Sequence, residues 1–167
     1  MFANNKHIIT IVGKSNSGKT TLLEKLITIL SERGYKLGTV KHAHGGFTMD
    51  KECKDSWRHR NAGADATLLI TDSTVALVKN DKSPDLDKMQ KYLEGMDIVL
   101  AEGFKQQALP KIEVFRLGSG HKEPIFLSDE NLIAFVTDSD YKPEGPTFGF
   151  KEIIELADSI ENNYLKR

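Results

Sequence analysis

The sequence has little cysteine, little excess charge of either sign and no long hydrophobic run. Cys53 is the only cysteine among 167 residues, so no internal disulfide can form and a reducing compartment is favoured. The net charge is −1, which argues against a general nucleic-acid binder, because such proteins present excess cations to phosphates. No apolar stretch approaches the roughly 18 residues of a membrane span, and no secretory leader is recognisable. We therefore expect a cytoplasmic protein that binds neither membranes nor nucleic acid.

Short apolar runs, typical of strands, alternate along the chain with segments whose apolar residues recur at helical spacing. The run 8–12 is β-branched and nearly continuous, which is typical of a strand covered on both faces of a parallel sheet. Apolar residues at helical spacing over 22–30 and a strand at 36–40 complete a βαβ unit. This alternation predicts a three-layer α/β sandwich with a mostly parallel central sheet. Further strands are expected at 67–70, 75–78, 98–101, 112–115 and 133–136, and helices at 55–62, 86–93 and 150–164.

The first strand leads into a complete phosphate-binding motif, G-x-x-x-x-G-K-[ST]. Glycines in such a loop let backbone N–H groups curl around phosphate oxygens, and the following helix adds the positive end of its dipole. Lys19 is expected to reach the β- and γ-phosphates and to act in catalysis, while Thr20 coordinates Mg²⁺. The whole chain, 1–167, is therefore predicted to be a single P-loop nucleotide-binding domain. The predicted nucleotide contacts are Gly13, Lys14, Ser15, Asn16, Ser17, Gly18, Lys19, Thr20 and Thr21.

Glu102 and Lys14 are further candidates for the same site. Glu102 ends the predicted strand 98–101, so it is expected at the sheet edge where parallel strands bind ligands. There it could act in catalysis by holding a Mg²⁺-bound water or by orienting the attacking water; a solvated strand-end glutamate is the alternative. Lys14 could contact the nucleotide of a second subunit, as in some dimeric P-loop proteins, or be an exposed loop lysine.

The segment after the second strand contains candidate anion or metal contacts. Lys41 and His42 are expected at the ligand edge, where their charge suits an anionic ligand. His42 and His44, with Cys53 as a third donor, form an alternative transition-metal site, although such sites generally need three or four ligands. The sequence leaves open whether these residues ever bind metal.

Base recognition has a weak signal, since the chain lacks the N-K-x-D guanine motif. Asp138 and Asp140 follow the last strong strand, 133–136. A carboxylate there can accept hydrogen bonds from the ring N–H and the exocyclic amine of guanine, two donors that adenine does not present together. Asp138 is the preferred reader because it lies closer to the strand end. Aspartates that cap a turn are the alternative.

Six blocks of the chain form an ordered set: the P-loop 13–20 and residues 40–42, 54–58, 62–64, 101–105 and 110–114. This set resembles one family, that of the molybdopterin-guanine dinucleotide biosynthesis protein B (MobB). The resemblance extends over residues 8–115. Other members often carry more histidines where Gly45 and Gly46 follow His44 here, which weakens the transfer of a metal or cofactor role to this loop.

The resemblance implies a GTP-binding protein with weak GTPase activity that assists molybdenum-cofactor biosynthesis. Residues 13–20 would bind phosphates, and Thr20 and Glu102 would serve Mg²⁺. Members are dimeric and are thought to act as adaptors that handle GTP or molybdopterin, so molybdopterin is a candidate second ligand. Nucleotidyl transfer itself would belong to a partner, molybdopterin-guanine dinucleotide biosynthesis protein A, with other molybdenum-cofactor enzymes as further partners.

Two rival function classes stay open. A GTP-dependent metallochaperone would use His42, His44 and Cys53 as ligands. A small-molecule P-loop kinase would share the loop but should possess an arginine-rich lid, whereas the arginines of this chain are scattered. No arginine finger is evident near the loop, which suits slow hydrolysis, since such a finger contributes roughly 10³–10⁵ in rate.

Overall fold

The computed structural model describes residues 8–43, 45, 50–81 and 86–166 of the chain. These residues divide into two compact units: residues up to 42 together with residues from 93 onward, and the residues between 43 and 92. The smaller unit is therefore an insertion in the sequence of the larger one. That the whole chain, 1–167, acts as a single P-loop nucleotide-binding domain stays a prediction.

The described residues form strands and helices close to the predicted positions. β8 was not predicted, because its two residues are too few for a periodic signal. Among the residues that the structure describes, no helix has the length and apolar character needed to cross a membrane. In chain order the elements are β1 (Ile8–Val12), α1 (Lys19–Glu32), β2 (Leu37–Lys41), α2 (Asp55–Asn61), β3 (Ala66–Ile70), β4 (Val75–Lys79), α3 (Leu86–Met89) with a 3₁₀ turn (Gln90–Leu93), β5 (Ile98–Glu102), β6 (Lys111–Phe115), β7 (Leu132–Thr137), β8 (Thr147–Phe148) and α4 (Ile153–Ile160) with a π-helical turn (Glu161–Leu165).

The larger unit is built on a six-stranded sheet with the order β2-β5-β1-β6-β7-β8. Every neighbouring pair in it is parallel. β1 lies in the middle, where Thr10 is in register with Ala101 of β5 and Lys111 of β6. The predicted α/β fold with a mostly parallel sheet is confirmed. Because parallel strands end at one edge, residues that follow β1, β2, β5, β6 and β7 reach a common ligand edge.

One face of the sheet is covered by α1 and α4, which also contact each other. Alternate residues of the inner strands, such as Ile9 and Ile11, are fully buried and pack against the apolar sides of both helices. Arg33, directly after α1, joins the two helices through contacts of 2.6 Å to Asp158 Oδ1 and 2.6 Å to Glu161 Oε2. The apolar side of α1 is therefore held by the core, and its C-terminal end is held by the Arg33 ion pairs. Both contacts stabilise the position of the loop that precedes the helix.

Over β6, the opposite face of the sheet is covered by the segment between β6 and β7, which contains turns but no helix. Lys111 and Glu113 point into this side and are 2% and 1% exposed. Lys111 pairs with Asp129 at 3.2 Å, and Glu113 accepts the backbone N–H groups of Ile125 at 2.6 Å and Phe126 at 2.8 Å. Burial raises the pKa of Glu113, although those N–H groups and nearby lysine charges oppose the rise. Buried charge thus holds this outer segment in place.

The smaller unit contains α2 and a two-stranded antiparallel hairpin. β3 and β4 pair along their whole length, from Ala66 opposite Lys79 to Ile70 opposite Val75. The sequence predicted both strands but not their pairing as a separate sheet. The two strands pair with each other because they are joined by a short turn, which favours antiparallel pairing of neighbouring strands.

Candidate functional site

The loop between β1 and α1 carries the predicted phosphate-binding motif at the ligand edge of the sheet. Gly13, Asn16 and Gly18 have φ values of 141°, 62° and 97°, a backbone conformation that allows N–H groups to line a concave anion site. A side chain could not fit at position 13, because its Cβ would overlap the carbonyl oxygen of Val114 in β6. The loop is therefore wound tightly against the sheet, with the start of α1 beside it.

Two side chains of the loop suit an anionic ligand. The Lys19 ammonium donates to the carbonyl oxygen of Lys14 at 2.6 Å, so its side chain folds back across the loop. Burial lowers the pKa of Lys19, the Glu102 carboxylate raises it, and the charges of two neighbouring lysines lower it again. The Ser17 hydroxyl is buried with no hydrogen-bond partner in the described part of the chain. A bound anion would relieve both the crowding of cations and the unpaired hydroxyl.

Glu102 ends β5, the strand beside β1, and lies against the start of α1. The Thr20 hydroxyl is 3.4 Å from each of its carboxylate oxygens, and Oε2 is also 3.4 Å from the Lys41 ammonium. Hydroxyl and carboxylate oxygens are the hard donors that Mg²⁺ prefers, so the two residues fit the predicted ion. Such an ion would supply Lewis-acid stabilisation of phosphate charge. The structure brings Thr20 and Glu102 together, as the sequence predicted.

The turn after Glu102 fixes the position of its carboxylate. Gly103 and Phe104 both have positive φ, 99° and 54°, and such a value in a bulky residue is a strained conformation. The Gly103 N–H donates to the carbonyl oxygen of Ile11 in β1 at 3.1 Å. The Phe104 ring packs edge-on against His42, with centroids 5.4 Å apart. The chain is thereby turned sharply away as soon as Glu102 has reached the ligand edge.

The alternative metal ligands lie on separate parts of the chain. His42 follows β2 in the larger unit, whereas Cys53 is exposed in the smaller unit. His44 lies outside the described residues. Within the described ranges, no group of three His, Cys, Asp or Glu side chains could hold a metal ion. The hypothesis of a transition-metal site at His42, His44 and Cys53 therefore rests on the sequence alone.

Asp138 follows β7, which β6 separates from β1, a distance of about 10 Å at the usual strand spacing. Its Oδ1 accepts the backbone N–H of Leu117 at 2.7 Å, so the carboxylate joins the turns after β6 and β7. The residue reaches the predicted edge of the sheet. One of the two carboxylate oxygens of Asp138 thus already accepts a hydrogen bond from this chain.

Arg116 is a candidate that the sequence analysis passed over. It directly follows β6, and its guanidinium carbon lies 4.4 Å from the centre of the Phe150 ring. A Cβ built on Gly18 would lie 3.9 Å from that carbon and 3.7 Å from the Phe150 ring, so both side chains stand beside the start of α1. A sequence signal existed, because a residue that follows a buried strand reaches the ligand edge. The neighbouring position of β6 and β1 is not visible in the sequence.

The family model of molybdopterin guanine dinucleotide synthesis protein B, MobB, matches residues 8–138 of this chain. The chain belongs to the MobB family. It is 37% identical to the molybdopterin-guanine dinucleotide biosynthesis adapter protein of Haemophilus influenzae, over 97% of this chain and 92% of that protein. It is 32% identical to the Escherichia coli protein of the same name, over 92% and 90%. The crystal structure of Bacillus subtilis MobB is similar with a TM-score of 0.73 and 29% identity, covering 95% of this chain and 98% of that chain.

The resemblance to MobB that the sequence predicted is thus confirmed. In this MobB chain, the candidate site residues lie on two sides of the P-loop. Thr20 and Glu102 lie on the β5 side, and Arg116 with Phe150 lies on the β6 side. Lys14 is half-buried, and its charge helps to oppose the rise that burial causes in the pKa of Glu113. The remaining predicted contacts are exposed at the loop and the first turn of α1: Ser15, Asn16 and Thr21.

Proposed function

We propose that this protein binds GTP with Mg²⁺, hydrolyses it slowly and acts as an adapter in molybdenum-cofactor biosynthesis. The observation that carries the proposal is a complete P-loop whose Thr20 hydroxyl stands 3.4 Å from the carboxylate of Glu102. That arrangement joins an anion-binding loop to two oxygen donors for the ion that accompanies a nucleoside triphosphate. The adapter role is supported by the names of two relatives at 37% and 32% identity.

Slow hydrolysis is supported by the arrangement of arginines in the larger unit. Of its described arginines, Arg33 lies beyond the far end of α1 and Arg116 follows β6, on the side of the loop away from Glu102. An arginine that reaches the transferred phosphoryl group contributes roughly 10³–10⁵ in rate. A protein without one holds GTP for longer, which suits an adapter that delivers or reports a bound nucleotide.

The proposed partners are enzymes of the same biosynthesis, first of all molybdopterin-guanine dinucleotide biosynthesis protein A, the nucleotidyltransferase. Molybdopterin is a proposed second ligand, because its phosphate would suit the Lys41 ammonium beside Glu102. The Lys41 side chain is 63% exposed, so it is accessible to a further anion at the magnesium side of the loop.

Nucleotide choice tests the proposal directly. We expect the wild-type protein to bind GTP more tightly than ATP in isothermal titrations with Mg²⁺, since a mismatched polar contact to the base costs about 1–3 kcal/mol, or roughly 5- to 150-fold. Asp138→Ala should reduce that preference, either through a lost base contact or through the turn that Asp138 holds. Equal affinity for both nucleotides in the wild type would reject GTP as the specific ligand, and an unchanged preference in the variant would reject Asp138 alone.

The hairpin of the smaller unit supports a homodimer, the state that the family resemblance implies. Leu68 opposite Leu77 and Ile70 opposite Val75 share one face, and these four side chains are 53%, 42%, 68% and 65% exposed. A two-stranded hairpin alone is marginal in water, and clustered exposed aliphatic side chains mark an interface. We propose a second copy of this chain as the occupant, because a two-fold axis sets the same apolar strand against itself without unmatched charge.

Ile70→Lys should therefore convert the protein to a monomer, measured as a halved mass by light scattering at micromolar concentration. The matched control is Ile154→Lys, because Ile154 is also an exposed isoleucine, 59% exposed on α4 of the larger unit. The control variant should keep the dimer mass. A wild-type protein that is monomeric with and without GTP would reject the dimer, and with it a role for Lys14 across the subunit interface.

A further inference from the structure

The P-loop has a cationic side that the magnesium candidates do not use. Thr20 and Glu102 mark the β5 side, where the β- and γ-phosphates and Mg²⁺ are expected. The rest of a bound nucleotide is then expected to extend toward the strands on the other side of β1, which are β6, β7 and β8 in that order. Arg116 follows β6 and stands with Phe150 beside Gly18, at the start of that path.

Arg116 is held in place from both its backbone and its side chain. Its carbonyl oxygen accepts the Ser119 hydroxyl at 2.8 Å, and the next residue, Leu117, donates its N–H to Asp138 at 2.7 Å. The guanidinium lies over the Phe150 ring at 4.4 Å, and Phe150 in turn packs against the hydrophobic core. Arg116 is exposed, and no carboxylate among the described residues forms an ion pair with it. A guanidinium that lies over the Phe150 ring, without a carboxylate partner among the described residues, is therefore presented at the ligand edge.

We propose that Arg116 reads the O6 and N7 atoms of guanine, with Phe150 as the platform that orients its guanidinium. This proposal rests on the proposed binding of GTP. Guanine presents two adjacent acceptors, O6 and N7, which match two parallel N–H donors of an arginine, whereas adenine presents one acceptor and one donor at the same positions. The planar fork of arginine suits such a pair better than the single ammonium of lysine does.

The same geometry gives Asp138 a different role from the one predicted. Its Oδ1 accepts the N–H that directly follows Arg116 in the chain, so it is a positioning residue for the turn that carries the arginine. A guanidinium stacked on an aromatic ring keeps its donors at the rim of its plane, where the in-plane acceptors of a purine edge can meet them. The two readings differ in which edge of guanine is recognised: O6 and N7 by Arg116, or the ring N–H and 2-amine by Asp138.

Inosine triphosphate separates the two readings, because it keeps O6 and N7 but lacks the 2-amine. Isothermal titrations with GTP, ITP and ATP, each with Mg²⁺, would use the full chain as wild type, Arg116→Gln and Arg116→Lys. We expect the wild type to bind ITP as tightly as GTP and to bind ATP more weakly by roughly 5- to 150-fold. Arg116→Gln should weaken GTP and ITP by that factor without weakening ATP, because a glutamine amide can pair with N6 and N7 of adenine. Arg116→Lys should restore only part of the preference for GTP, because a single ammonium lacks the planar fork of arginine. Lys142→Gln is the control, because it removes an exposed cation after β7; this variant should keep the wild-type preference for GTP over ATP.

Four results would overturn the assignment. An ITP affinity far below that of GTP in the wild type would mean that the 2-amine is read, and this comparison needs no variant. An equal loss for all three nucleotides in Arg116→Gln would mean a phosphate contact, and an unchanged profile would mean no contact. A wild type that binds none of the three would instead reject the proposed function, and this assignment with it. Thermal melts of both variants would verify that the fold is intact.

Discussion

Lys19→Ala is expected to abolish measurable GTP binding while leaving the thermal melt of the protein unchanged. The Lys19 ammonium is the cation that the loop holds at 2.6 Å from its own Lys14 carbonyl, and it is the one that the motif directs at the β- and γ-phosphates. Hydrogen bonds to a charged group contribute about 1.5–3 kcal/mol each, so the loss of two weakens Kd by roughly 100-fold or more. The side chain lies outside the hydrophobic core, which is why little stability should be lost.

The matched control for this prediction is Lys25→Ala. Lys25 is an exposed lysine on the same helix, α1, but lies beyond its first turn, so it tests whether any loss of positive charge near the site weakens binding. Isothermal titration with GTP and Mg²⁺ should give wild-type affinity for Lys25→Ala and no signal for Lys19→Ala. Wild-type affinity in Lys19→Ala would contradict the assignment of the P-loop, and a lowered melting temperature would give the lysine a structural role.

The β1–loop–α1 region could be predicted from the sequence because each of its signals is local. A β-branched run, a glycine pattern and leucines at helical spacing are all short-range features. The strand that ends at Glu102 was predicted in the same way, and its position beside the loop follows from the rule that parallel strands share a ligand edge. Contact between Thr20 and Glu102 at 3.4 Å confirms that inference.

The second side of the site could not be predicted, because it depends on strand order. Arg116 is far from the P-loop in sequence, and only the pairing of β1 with β6 brings it beside Gly18. Phe150 arrives there through β8, a strand of two residues that has no periodic pattern. Non-local pairings of this kind leave no local signal. In the sequence Arg116 is therefore one of several scattered arginines, whereas in the fold it lies over the Phe150 ring beside the P-loop.

The buried charges of β6 are another feature outside the reach of periodicity. Lys111 and Glu113 occur in a strand whose five residues are all buried, whereas charged residues usually indicate a solvent-facing side. The N–H groups that Glu113 accepts and the carboxylate that pairs with Lys111 lie 12 to 18 residues later, in the segment between β6 and β7. A charge becomes tolerable in such a strand when hydrogen bonds and an opposite charge compensate its burial.

Glu102→Gln is expected to lower GTP turnover by roughly 10²-fold, the usual effect of removing one preorganised electrostatic group, while GTP affinity stays near the wild-type value. Glutamine keeps the shape of the side chain beside Thr20 but removes the negative charge that would hold Mg²⁺ or its bound water. The half-saturating Mg²⁺ concentration should rise for the same reason. A loss that is confined to turnover and metal dependence distinguishes a group acting on the reacting phosphate from one that only shapes the loop.

Asp97→Asn is the control for this change, because Asp97 directly precedes the same strand at its opposite end. There its Oδ2 accepts the backbone N–H of Lys36 at 2.7 Å, so it stabilises the sheet and lies at the edge away from the loop. Single-turnover and steady-state assays at saturating GTP should show wild-type rates for Asp97→Asn, even if its melting temperature falls. Turnover of Glu102→Gln within twofold of wild type, or about 0.4 kcal/mol of barrier, would make Glu102 a strand-end residue without a part in hydrolysis, and the Thr20 hydroxyl alone would then have to hold the ion.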